Sequence, residues 1–149
     1  MFKKILFPTD FSDASQKAVK YIKQLKGAGA QEVIILHVID EKELLVLSRA
    51  SDQYLQITAH MEKEIAKDMA AVEAEMIAEG FRVKLQVKTG KPFTEIMMTA
   101  AEEKVSIIVV GSHGKSNIKE MLLGSVSENV IRHARVPLLV ISREIRQDT

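Results

Sequence analysis

The chain has 149 residues, 46% of them hydrophobic and 28% charged, with a formal net charge of +1. That length suits one domain, residues 1–149, with a substantial core, and the balanced charge gives nucleic acid no electrostatic claim as the main partner. No cysteine is present, which excludes disulfides, thiol catalysis and thiolate metal sites and agrees with a reducing interior.

Met1 to Asp10 read as a strand and a turn, without the long apolar stretch of a signal peptide. No apolar run is long enough to span a bilayer, so the expected location is the cytoplasm, with no membrane partner. Ile5 to Phe7 are a short apolar run cut off by Pro8, as in a buried strand. Ser12 then caps a helix with Ala14, Ala18, Ile22 and Leu25 on one face, ended by Gly27 to Gly29. Val33 to Ile39 form a second continuous apolar run, typical of a strand covered on both faces.

Glu41 to Gln56 are the least readable stretch, expected as a helical turn or a loop packing beside the strand ends. Ile57, Met61, Ile65, Met69, Val72 and Met76 form the stripe of a long helix closed by Gly80. The methionines from Met61 to Met98 are expected to fill core rather than bind a metal or cofactor. Val83, Leu85 and Val87 alternate with polar residues, which predicts an edge strand solvated on one face. Pro92 opens a helix with Phe93, Ile96, Met97, Ala100 and Ala101 on one face. A fourth strand covers Val105 to Gly111, a fourth helix starts near Ser125, and a fifth strand covers Val136 to Ser142, where Pro137 favours an edge. Five strands alternating with four helices predict an α/β fold, a doubly wound five-stranded parallel sheet with helices on both faces. Ligands of such sheets sit outside the carboxyl ends of the strands, which makes candidates of Pro8, Thr9 and Asp10, of Val38 to Asp40, and of Gly111 to Gly114.

The stretch "VVGSHGKSN", Val109 to Asn117, has the look of a P-loop. A P-loop needs a glycine with four residues between it and the Gly-Lys-Ser triplet, and that position is Val109, inside the strand. The Walker reading fails. A second glycine turn lies further on: Gly111, two residues, Gly114, nine residues, then Gly124 and Ser125 at the start of the fourth helix, where N–H groups and the helix dipole favour an anion. The bland alternative for Ser125 is a capping box with Glu128, and for Asp10 an Asx turn. His37 is expected to be a satisfied core histidine, His60 and His133 surface residues, and His113 the one histidine at the site.

The run from Val109 to Ser142, with "ILFPTDFS" near the start and "LHVID" closing the second strand, resembles the universal stress protein family in its ATP-binding branch. The likeness covers the chain except Glu41 to Gln56. It implies a universal stress protein-like, adenine nucleotide alpha hydrolase-like sheet of order 3-2-1-4-5 and a homodimer through the last strand, Val136 to Ser142. It also implies ATP, with AMP or ADP as alternatives, bound with Mg²⁺ or Mn²⁺ across the first, second and fourth strand ends. By the same resemblance, Asp10, in the turn with Pro8 and Thr9, lies near the ribose or a phosphate-bound cation, and the backbone of Val38 reads the adenine edge. Gly111, Ser112, His113, Gly114, Lys115, Ser116 and Asn117 wrap ribose and phosphates, with solvent as the alternative for Lys115 and Asn117. Gly124 belongs to the second glycine turn, and Ser125, Val126 and Ser127 donate to the β and γ phosphates. The function implied is a nucleotide-dependent regulatory or stress-response module with an unknown protein partner. The weaker alternative is a slow ATPase, because no Walker lysine is in register and no phosphate-gripping loop follows the first strand. A flavin or phosphoacceptor domain fits only Asp10.

Overall fold

The computed structural model describes residues 1–50, 52–112 and 125–142. Five parallel strands, β1 Lys4–Pro8, β2 Glu32–Asp40, β3 Arg82–Gly90, β4 Ile107–Gly111 and β5 Leu138–Ile141, form one sheet in the order β3-β2-β1-β4-β5. The order is the expected one, with β3 and β5 at the two edges. β1, β2 and β4 read as unbroken apolar runs because helices cover both faces. Alternation along each strand sorts the residues. Ile5, Phe7, Val33, Ile35, Ile107 and Val109 meet Ala18, Ile22, Met69 and Met76 on one side. Leu6, Ile34, Leu36, Ile108 and Val110 meet Ile96 and Val130 on the other.

The helices are α1 Asp13–Leu25, α2 Glu41–Ala50, α3 Tyr54–Ala78, α4 Pro92–Glu102 and α5 Ser125–His133. Ser12 caps α1, its side chain accepting from the Ser15 N–H, and Pro92 occupies the first turn of α4, where its missing N–H costs nothing. Met69 and Met76 are buried and Met61 and Met97 pack at the core margin, as expected of filler, whereas Met98 is exposed.

The stretch after Asp40 departs from its expectation. It is a full helix, α2, that follows β2 directly, with Asp40 Oδ1 accepting from the Lys42 N–H 2.9 Å away. α2 buries no residue, and its apolar residues run consecutively from Leu44 to Leu47. β3 also differs in part. Val83 packs on the core, while Leu85 and Val87 on the same face are 38% and 50% exposed. The opposite face carries polar bonds to α4: Lys88 Nζ donates to Thr99 Oγ1 at 2.7 Å, and Glu103 accepts from Gln86, Lys84 and Lys4. Those two lysines hold the Glu103 carboxyl below the usual carboxylate range. Among the described residues no helix is long and apolar enough to cross a membrane.

β1 pairs with β2 on one side and β4 on the other. The winding direction therefore reverses at β1, and a cleft opens at the carboxyl ends of the strands beside it.

Candidate functional site

The cleft has a volume of about 490 Å³ and is lined from the ends of β1, β2 and β4 and the starts of α1, α4 and α5, with α2 and α3 as a further wall. Its floor begins where β1 ends. Thr9 is almost buried, and its N–H continues the ladder to Leu36 O at 2.8 Å. Its hydroxyl lies 2.5 Å from Ser15 Oγ and accepts from the Phe11 N–H at 3.0 Å. Asp10 makes the Asx turn considered for it, Oδ1 accepting from the Ser12 N–H at 3.0 Å, and it also lines the cleft. The Asx turn does not remove Asp10 from the cleft wall. Phe11 has a φ of 62°, one of two positive values at non-glycine positions among the described residues.

β2 runs past the end of β1, since Pro8 pairs with Leu36 and the strand continues to Asp40. Leu36 O points toward β1, where it receives the Thr9 N–H. Peptide groups alternate along a strand, so the N–H and C=O of Val38 point the same way, beyond the last residue of β1. Val38 lines the cleft, as do Ile39 and Asp40. His37 is satisfied as expected, but it is half-buried and lines the cleft instead of lying in the core: Nδ1 donates to Thr9 O at 2.7 Å, and the ring stacks on Phe11 with centroids 4.9 Å apart and planes 25° apart. His60 and His133 are exposed, also as expected.

At the third strand end, Gly111 has a packing role that the glycine pattern does not announce. A Cβ there would lie 3.0 Å from Ala14 Cβ and 3.1 Å from Ala14 C and Ser15 N, so α1 packs directly on this residue. Gly111 O accepts from Ser127 Oγ at 2.6 Å, which ties the start of α5 to the end of β4. Ser112 is buried, its N–H donating to Ile141 O at 2.8 Å, and it does not line the cleft. Glu128 Oε1 accepts from Arg132 Nη2 at 2.8 Å, one turn along α5.

The electrostatics of the cleft are asymmetric. The amino-terminal turns of α1 and α5 contribute Ser12, Ser15, Ser125, Val126 and Ser127 to its wall, and helix starts carry partial positive charge. Asp10, Asp40, Glu43, Glu64 and Asp68 bring carboxylates, and none of the described lining residues is a lysine or arginine. Among the described residues no three acidic or imidazole groups converge on a point that could hold a metal ion.

Of the sequence-predicted site residues, Pro8, Thr9, Asp10, Val38, Gly111, Ser125, Val126 and Ser127 meet on this cleft. His113, Gly114, Lys115, Ser116, Asn117 and Gly124 lie outside the described residues. Phe11, Ser15 and the acidic residues of α2 and α3 were not foreseen. Glu64 and Asp68 sit one turn apart on α3 with Met61 and Ile65, and that shared face was the available signal.

The model of the Universal stress protein family matches residues 1–142. Universal stress protein MJ0577 of Methanocaldococcus jannaschii is 41% identical, with 97% of each chain covered, and a solved structure of MJ0577 superposes with a TM-score of 0.88 over 97% of this chain and 98% of that one. Universal stress protein YxiE of Bacillus subtilis is 34% identical over 95% of this chain and 99% of its own. Two structures of the same fold, a universal stress protein in complex with cAMP and an Arabidopsis thaliana family protein with AMP bound, are 24% and 18% identical with TM-scores of 0.69 and 0.71; they cover 95% and 99% of this chain and 97% and 95% of their own. Sequence, fold and relatives agree, and the chain belongs to the universal stress protein family.

Proposed function

We propose that the cleft binds an adenine nucleotide, ATP together with Mg²⁺ or Mn²⁺, and that the chain works as a nucleotide-dependent regulatory or stress-response module. The carrying observation is the outward peptide group of Val38 facing a cleft whose far side is built from the start of α5. An N–H and a C=O side by side match the acceptor N1 and donor N6 of adenine, while guanine presents the opposite pair on that edge. The start of α5 favours phosphate oxygens at the other end. Five carboxylates with no described lysine or arginine among the lining residues would repel a bare triphosphate. A divalent cation carried on the phosphates removes that repulsion and needs no preformed protein site.

The cAMP and AMP held by two proteins of this fold agree with the reading. Assembly as a homodimer through the outer edge of β5, in the cytoplasm, belongs to the same proposal. Leu138, Leu139 and Val140 on that edge are only half-buried in the single chain. Calorimetric titration with ATP, GTP and FMN in the presence of Mg²⁺ tests the reading. ATP should bind, and GTP and FMN should bind at least tenfold more weakly, the value of about 1.4 kcal/mol. No binding of ATP, or equal affinity for all three, refutes it.

A further inference from the structure

We propose that His37 and Phe11 are positioning residues, a ring pair that clamps the turn from Thr9 to Ser12 in the conformation that presents Asp10 to the cleft. The functional consequence rests on the nucleotide reading, whereas the clamp itself does not.

The observation that demands explanation is Phe11. A bulky aromatic residue at a φ of 62° occupies the left-handed region that such side chains avoid, and it persists only where its surroundings over-determine it. Here they do. The Phe11 N–H donates to Thr9 Oγ1 at 3.0 Å, its carbonyl accepts from Gln16 Nε2 at 3.4 Å, and its ring lies on His37. His37 closes the arrangement from another strand, 28 residues away, by donating from Nδ1 to Thr9 O. A carbonyl can only accept, so Nδ1 carries the proton. Thr9 is thus held to β2 twice, through its N–H to Leu36 O and through its C=O to the His37 ring. Asp10 stands between this anchored residue and the strained one, with Oδ1 already turned to the Ser12 N–H. If the His37 donor is lost, Phe11 can relax to a negative φ. That change reorients the peptide groups on either side of it and with them the Asp10 carboxylate.

Asparagine and glutamine separate the donor from the ring. Asn Nδ2 takes the place of His Nδ1, whereas Gln moves its amide one bond farther out, and both substitutions remove the stacking equally. His37→Gln should lower hydrogen-exchange protection of the Phe11 and Ser12 amides by about tenfold relative to His37→Asn, the value of one hydrogen bond. The affinity for ATP with Mg²⁺ should fall in the same order, with native circular dichroism in both variants. Equal amide protection in His37→Gln and the unmutated protein overturns the clamp. Lost protection with unchanged ATP affinity overturns the positioning role and leaves a purely structural contact. Should the unmutated protein bind no ATP, the nucleotide reading fails, and amide protection alone decides the clamp.

Discussion

Gly111→Ala separates packing from ligand approach at the end of β4. The glycine pattern assigns this residue to a loop around phosphates, yet the added methyl would meet α1, at 3.0 Å from Ala14 Cβ and 3.1 Å from two main-chain atoms of the helix. A flexible side chain could swing away, but the first turn of a helix capped by Ser12 cannot shift without moving Ala14 and Ser15 from buried positions. Overpacking of this kind costs about 1–3 kcal/mol. Replacing glycine also stiffens the unfolded chain and returns about 0.4–1 kcal/mol. The difference spans about 0–2.6 kcal/mol of destabilisation, and its middle of about 1.3 kcal/mol lowers Tm by about 3–5 °C for a chain of this size. Thermal unfolding followed by circular dichroism without any nucleotide is the assay. A Tm above that of the unmutated protein refutes the reasoning, since α1 would then accommodate the methyl without strain and only the stiffening of the unfolded chain would remain.

Glu103→Gln should destabilise at neutral pH, with the deficit shrinking in acid. The Glu103 carboxyl titrates below its ordinary value of 4.5, so its stabilisation is complete above the unfolded value and disappears as pH falls through the folded one. A pH-independent difference in Tm between the two proteins argues against the Lys84 and Lys4 contacts. Pro137 O and Ile141 O both face β4, so by alternation Leu138 and Val140 point their N–H groups away from β4, to the outer edge. Val140→Pro is therefore expected to convert a dimer to a monomer in light scattering, and a monomeric mass for the unmutated protein at micromolar concentration excludes the dimer. The glycines beyond the described residues carry a prediction from sequence alone: Gly114→Val and Gly124→Val should abolish ATP binding with native circular dichroism, because a Cβ blocks close approach of backbone to phosphate. Retained binding would make those turns structural.

Elements covered on both faces were legible as unbroken apolar runs, which is why β1, β2 and β4 could be read directly. Of the helices that bury one face, α1, α3 and α4 announced themselves by period, and α5 by the glycine–serine turn at its start. α2 was not legible, because its apolar residues run consecutively from Leu44 to Leu47 and none of them is fully buried. At the site, the glycine and serine positions were legible as types, but their neighbours were not. The contact of Gly111 with Ala14 and the bond from His37 to Thr9 join segments far apart in the chain. Nor does Phe11 read as a left-handed residue, since the preference of phenylalanine is against that conformation and only tertiary contacts impose it.

Chemical-shift mapping on ¹⁵N-labelled protein, titrated with ATP and Mg²⁺, tests directly whether an adenine nucleotide occupies the cleft at the strand ends. The largest amide shifts are expected at Asp10, Val38 and Ser125 to Ser127, with β3 and the Glu103 region unmoved. Shifts confined to other surfaces, or none at saturating ATP, would contradict it.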